Sequence, residues 1–257
     1  MTDAPIGIFD SGVGGLSILS ALRAALPHEH FIYYADNANA PYGERDEGFV
    51  QERCAAIAGD LIGTHGIKAL VVACNTATAA AIQQLRDIWP SLIVIGVEPA
   101  LKPAVALTRT RRIGVMATRG TLASAKFATL HAGLKAEAHF VLQPCDGLAE
   151  AIELGQTPLV QELCERYTNA MGKFGSGAAQ IDTLVLGCTH YPFAADTFLK
   201  LLPDEVQLVH PGPAVARQCA RLLRGAGLAR SSGAGGVQWL SSGPIEPLQR
   251  MAAAQWA

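Results

Sequence analysis

Apolar residues in this chain are grouped in a way that leaves few folds open. Short runs rich in Val, Ile and Leu recur at Ile6–Phe9, Phe31–Ala35, Leu70–Ala73, Leu92–Val97, Ile113–Ala117, Ala138–Leu142, Thr183–Gly187, Val206–Val209 and Val237–Leu240. Most are continuously apolar instead of alternating, the pattern of strands covered on both faces. Between them lie helix-period segments such as Leu16–Leu26, Phe49–Thr64, Ala77–Ile88 and Ala214–Arg224. Strand–helix alternation of this kind predicts an α/β fold, parallel sheets with helical crossovers on their faces. Gly172–Ala179 and the Gly/Ser-rich Ser231–Gly236 read as connectors.

The same landmarks occur twice, in one order. Ile6-Gly7-Ile8 followed by Asp10-Ser11-Gly12 resembles Ile113-Gly114-Val115 followed by Ala117-Thr118-Arg119-Gly120, 107 positions later. Leu70–Thr76 (LVVACNT) resembles Leu184–His190 (LVLGCTH), 114 positions later. Two landmarks at nearly one offset predict two α/β halves of similar build, and facing halves offer a cleft for a ligand. A chain of 257 residues has the length for two small domains.

Composition narrows the function classes. Hydrophobic residues make up 50% and charged residues 16%, enough for a sizeable core and against bulk disorder. Lys and Arg total 20 against 22 Asp and Glu, a formal net charge of −2, so the basic excess of a nucleic-acid binder is missing. Only Arg109, Arg111 and Arg112 cluster. No apolar run approaches the roughly 18–20 residues of a membrane span. Met1–Phe9 lacks the basic and long apolar regions of a secretory signal. Neither a nucleic-acid nor a membrane partner is expected. Six cysteines form no C-x-x-C pair, which argues against a disulfide scaffold or zinc ribbon and points to free thiols in a reducing cytoplasm.

Cys74 and Cys188 each stand where a predicted strand's C-terminal end meets the next element, the edge where ligands bind in open parallel sheets. A helix N-terminus there lowers a thiol's pKa from about 8.5 and raises its thiolate fraction. A single cysteine is more often simply packed. Two at equivalent points of a repeat, flanked by Asn75, Thr76, Thr189 and His190, point to function. Cys54, Cys145, Cys164 and Cys219 have no such context and read as packing residues. Asp10–Gly15 (DSGVGG) follows a strand and opens a helix pattern, so its N–H groups suit an anion. With no lysine after it, a carboxylate fits better than a polyphosphate. Asp10 reads equally well as a helix cap. Taken locally, Pro41-Tyr42-Gly43 is a turn, His190 a packed or proton-relaying imidazole, and Glu153, on a predicted helix Leu148–Leu154, a solvated residue.

Two equivalent thiols suit one kind of reaction. One thiolate removes a proton from a carbon, the opposed thiol delivers one to the other face, and the stereocentre inverts. Reversal exchanges the roles, so like groups are needed on both sides. An amino acid's α-proton is far less acidic than a thiol. The site must therefore stabilise developing carbanion charge with placed donors and exclude water. Ser11, Asn75, Thr76 and Thr189 are candidates to hold the α-carboxylate.

Phe9–Ser17 (FDSGVGGLS), Pro41–Gly43 (PYG), Ala73–Ala79 (ACNTATA), Gly96–Ala100 (GVEPA) and Leu186–Pro192 (LGCTHYP) together resemble the cofactor-independent glutamate racemases of the aspartate/glutamate racemase superfamily. Weaker matches are Ile113–Thr121 (IGVMATRGT) and Ser241-Ser242-Gly243. The resemblance implies two pseudo-symmetric parallel-sheet α/β domains with the active site in the interdomain cleft. Residues 1–98 plus 210–257 would hold Cys74, and residues 99–209 would hold Cys188. It implies cytoplasmic interconversion of L- and D-glutamate, supplying D-glutamate for peptidoglycan biosynthesis, with no pyridoxal phosphate, no metal and no other cofactor. Homodimers are common in the family. Cys74 and Cys188 match its two catalytic cysteines, the first assigned to the D-glutamate proton and the second to the L-glutamate proton. Asp10, Asp36, Glu153 and His190 match positions proposed to assist. Asp10, Ser11, Pro41, Tyr42, Gly43, Asn75, Thr76, Thr118, Thr121, Thr189 and His190 match substrate contacts. The chain departs from the pattern at Gln143–Leu148 and at His210, where an acidic residue is expected.

Three other readings stay open at this point. One is a racemase acting on aspartate or another small acid. Another is a Cys/His hydrolase or transferase with Cys188 as nucleophile, although loop neighbours such as Cys188 and His190 look poorly suited to mutual hydrogen bonding. The third is a non-enzymatic module closing on a small acid.

Overall fold

A computed structural model describes residues 2–256. Met1, part of the stretch read for a secretory signal, and Ala257, the end of the expected first domain, lie outside the described residues. Every predicted apolar run forms a strand: β1 (Ile6–Asp10), β2 (His30–Ala35), β3 (Ala69–Val72), β4 (Ile93–Gly96), β5 (Arg112–Ala117), β6 (His139–Pro144), β7 (Thr183–Leu186), β8 (Gln207–Val209) and β9 (Gly236–Ser241). All pair in parallel. Every residue of β1, β3 and β7 is buried, which is why these runs lack polar alternation.

The chain forms two compact units, one comprising residues up to Val97 together with those from Gly212 onward, the other Glu98–Pro211. The first holds the sheet β4-β3-β1-β2-β9 and the second the sheet β6-β5-β7-β8. Without β9 the two orders are the same. The opening strand is flanked by the second on one side and the third on the other, with the fourth outermost. The repeated Ile-Gly-aliphatic landmark occupies that opening strand in both sheets. Its glycine lets a neighbouring side chain close in on the strand in each: a Cβ on Gly7 would fall 2.8 Å from Ile67 Cδ1, and one on Gly114 2.7 Å from Met171 Cε.

In the first unit Phe9, Leu61, Leu70, Val72 and Leu85 pack helices Glu47–Gly63 and Asn75–Ile88 against the sheet. Helix Gly212–Gly225 returns to lie on Leu16–Ala25, and β9 extends the sheet beyond β2, which ties the C-terminal segment to the first half. A buried ion pair, Lys68 Nζ to Glu29 Oε2 at 2.6 Å, fastens the same region. Lys68 also donates to Thr2 O (2.6 Å) and Leu228 O (2.9 Å), and Glu29 accepts the Arg230 N–H (2.8 Å). In the second unit separate apolar clusters form around Leu184 and Leu186 and around Val115 and Val185, consistent with alternate residues of β5 and β7 facing opposite ways. Among the described residues no helix is long and apolar enough to cross a membrane.

Candidate active site

Strand order reverses between β1 and β3 and again between β5 and β7. In open α/β sheets the carboxyl ends of the strands at such a reversal are where ligand crevices form. At the first, β1 ends in Asp10 and β3 leads through Ala73 to Cys74. Cys74 is the N-cap of Asn75–Ile88 and its sulfur accepts the Ala77 N–H at 3.5 Å, at the positive end of a 14-residue helix. Ser11 Oγ lies 3.9 Å from that sulfur. Asp10, completely buried, accepts the Gly12 N–H at 2.9 Å and folds its own loop back. It is not the helix cap that the sequence allowed; Gly15 holds that position for Leu16–Ala25. Gly15 also permits close approach, since a Cβ there would meet Asp10 Cβ and Tyr33 Oη at 2.7 Å. Asn75 is buried and donates to Val97 O at 3.4 Å; Thr76 beside it is partly buried.

Asp36 follows β2. Its buried carboxylate receives Arg53 through Nε (3.0 Å) and Nη2 (2.7 Å), Asn39 Nδ2 (3.0 Å) and the Tyr42 hydroxyl (2.5 Å). Burial alone would raise this carboxyl's pKa. Hydrogen bonds from Arg53, Tyr42, Asn39 and Ser242 outweigh it and hold the group below the usual carboxylate range. The Pro41-Tyr42-Gly43 segment is therefore more than a turn. Tyr42 is 1% exposed, sits in the core cluster that includes Cys54 and Cys74, and has its phenol pushed up by burial and by Asp36.

At the second reversal Thr118 caps the short helix Arg119–Ala123, accepting the Thr121 N–H at 3.2 Å and donating to Thr121 Oγ1 at 2.9 Å. β7 leads through Gly187 to Cys188. A 3-10 turn, Tyr191–Ala194, and the helix Ala195–Leu201 follow, so Cys188 does not head a long helix as Cys74 does. Its partner is His190, whose Nδ1 lies 3.8 Å from Cys188 Sγ and whose Nε2 lies 2.5 Å from Glu153 Oε2. The tight turn thus brings together two loop neighbours that looked poorly suited to bonding. Glu153, a solvated residue on local reading but an assisting position by the family resemblance, ends the helix Leu148–Glu153 with its side chain 19% exposed. Burial disfavours charge on His190, yet the sulfur and the carboxylate on either side raise its pKa well above the ordinary histidine value. Thr189 between them is buried.

None of the six cysteines, all among the described residues, is in a disulfide. Burial pushes the Cys164 and Cys219 thiols up to about 12, and Cys54 and Cys145 upward as well. Among the described residues no group of three or more His, Cys, Asp and Glu side chains could hold a metal ion.

Two sheet edges of one design, each ending in a cysteine with polar neighbours, invite comparison with known proteins. The family model for Asp/Glu/Hydantoin racemase matches residues 16–219. The chain belongs to this family. A glutamate racemase from Ectopseudomonas mendocina is 47% identical over 250 residues, 96% of this chain and 93% of the relative. Among solved structures, a glutamate racemase isoform from Bacillus anthracis superposes with a TM-score of 0.88 at 30% identity, covering 100% of this chain and 95% of the other. The Escherichia coli glutamate racemase, in complex with L-glutamate and the activator UDP-MurNAc-ala, gives 0.83 at 33% identity, covering 98% and 95%. The motif resemblance to glutamate racemases is borne out, and with it the class of enzyme, an isomerase.

Sequence reasoning missed three polar groups of this racemase. Tyr33 donates to Gly12 O at 2.8 Å and steadies the loop after β1. Arg53 and Ser242 converge on Asp36. The Ser241–Gly243 motif hinted at the last, whereas Arg53 is a basic residue on a helix with no motif around it.

Proposed function

We propose that this racemase interconverts L- and D-glutamate by proton transfer at Cα between two thiols, supplying D-glutamate for peptidoglycan. The single observation that carries the reading is the duplicated strand order with a cysteine just beyond the third strand of each sheet. Glutamate as the substrate is supported by the names of the close relatives. Cys188 as thiolate takes the α-proton of L-glutamate, and Cys74 as thiol delivers one to the opposite face; D-glutamate reverses the roles. The reading requires the two sulfurs to address one Cα from opposite sides. Ser11, Asn75, Thr76 and Thr189, the Thr118–Thr121 pair and the backbone of Pro41–Gly43 are the proposed substrate contacts, with Asp10 shaping the loop that carries Ser11.

The two thiols differ in what supports a negative sulfur. Cys74 has helix N–H groups, and Cys188 has His190 held by Glu153. An imidazolium beside Cys188 stabilises its thiolate, and Glu153 keeps that imidazolium charged. Glu153→Gln is expected to lower kcat/KM by about 10- to 100-fold, the worth of a hydrogen bond to a charged group. It removes one of the groups that raise the His190 pKa, so His190 loses its proton at lower pH. The alkaline limb of the kcat/KM profile should therefore move to lower pH. An unmoved limb would sink the assignment of His190 and Glu153.

Isotope exchange tests the whole reading. D-glutamate incubated with the protein in D₂O is expected to lose optical activity while deuterium enters Cα. A folded preparation that exchanges nothing, or that turns over aspartate as well as or better than glutamate, overturns the proposal.

A further inference from the structure

One network in the first unit is left unused by two-thiol chemistry. Asp36 is buried and engaged on both oxygens, with the Arg53 guanidinium docked in two-point fashion. A carboxylate held this way is a poor acceptor for a substrate proton and a good anchor. What it anchors is Tyr42. The phenol is committed to Asp36 and the ring to the core, so Pro41–Gly43 presents backbone groups, not the hydroxyl, to a ligand. The same loop is clamped from the far end of the chain. Ser242 Oγ accepts the Ala38 N–H at 3.1 Å, Ser241 Oγ donates to Asn37 Oδ1 at 2.8 Å, and Asn37 Nδ2 donates to Pro244 O at 2.7 Å.

Resting on the racemase reading above, we infer that Arg53 is a positioning residue for the substrate. Arg53 orients Asp36, Asp36 fixes Tyr42, and Tyr42 sets the Pro41–Gly43 backbone against a substrate carboxylate, with Ser242 as a second brace. Asp36 then acts through Tyr42 and does not exchange protons with the substrate.

Arg53→Leu is expected to raise KM for glutamate by about tenfold or more, with kcat within about threefold, because a charge-assisted contact is lost while the thiols are untouched. Arg53→Lys keeps the charge but not the fork and should recover only part of the loss; it carries the same test if the leucine variant fails to fold. In a Tyr42→Phe background the link is already cut, so Arg53→Leu should raise KM less than about twofold. Equal KM effects in both backgrounds, or an unchanged KM, would overturn the inference.

A second readout needs no substrate. Amide hydrogen exchange across residues 37–45 should quicken by about tenfold in Arg53→Leu while helix Asn75–Ile88 is unaffected. Unchanged loop exchange refutes the brace. Absence of Cα exchange by the unmodified protein refutes the glutamate reading instead.

Discussion

Alanine in place of either Cys74 or Cys188 is expected to lower the racemisation rate by about 10²–10⁴-fold, the range one acid–base side chain contributes, with the fold retained. L- and D-glutamate are equal in energy in water, so kcat/KM must fall equally in both directions. The direction each thiol serves is visible only in exchange. With Cys74→Ala, the remaining Cys188 can still take and return a proton on one face, so residual deuterium wash-in should be confined to L-glutamate. With Cys188→Ala it should be confined to D-glutamate. The opposite pattern would swap the two assignments, and a variant losing less than about tenfold would sink the two-thiol mechanism. A Cys188 nucleophile working alone predicts tolerance at Cys74 and a covalent intermediate, so the same pair of variants separates that alternative.

The largest stability effect is expected at Lys68→Met. Lys68 and Glu29 are a salt bridge with side chains 2% and 0% exposed, and Lys68 also holds two backbone carbonyls. Removing the ammonium leaves a carboxylate buried without its countercharge, which costs about 3–5 kcal/mol. Urea unfolding followed by tryptophan fluorescence reads this directly. Adding Glu29→Leu removes the stranded charge and should restore about half of the loss or more, although the carbonyls of Thr2 and Leu228 remain unpaired. A single variant within about 1 kcal/mol of the parent would show that water reaches the site and that the pair contributes little. The effect should be on folding and not on the Cα chemistry, since the pair is outside the network of Cys74, Asp36 and Tyr42.

Much of the candidate site was legible from residue order because its parts are local. DSGVGG, CNT and GCTH each pack a strand end and its next turn into a few residues, and backbone geometry alone brings those residues to a sheet's carboxyl edge. The roles of Glu153, Arg53 and Ser242 were not local. Glu153 meets His190 across 37 positions and Arg53 meets Asp36 across 17, with no periodicity to mark either meeting. Cys188 shows the limit within a single loop. Its spacing from His190 looked poorly suited to mutual hydrogen bonding, and the turn closed by the Tyr191 N–H on Cys188 O brings the two side chains within 3.8 Å.

Amino-acid order by itself determined the parallel strands of the described residues, their duplicated arrangement and the pair of thiols at strand ends. These follow from hydrophobic period and from the obligation of a buried backbone to pair its N–H and C=O groups. Tertiary structure decided which polar side chains face each other: His190 with Glu153, Arg53 with Asp36, Lys68 with Glu29. Those partnerships depend on which elements become neighbours once the core closes. A buried charge then needs a countercharge wherever the fold places one, regardless of separation along the chain.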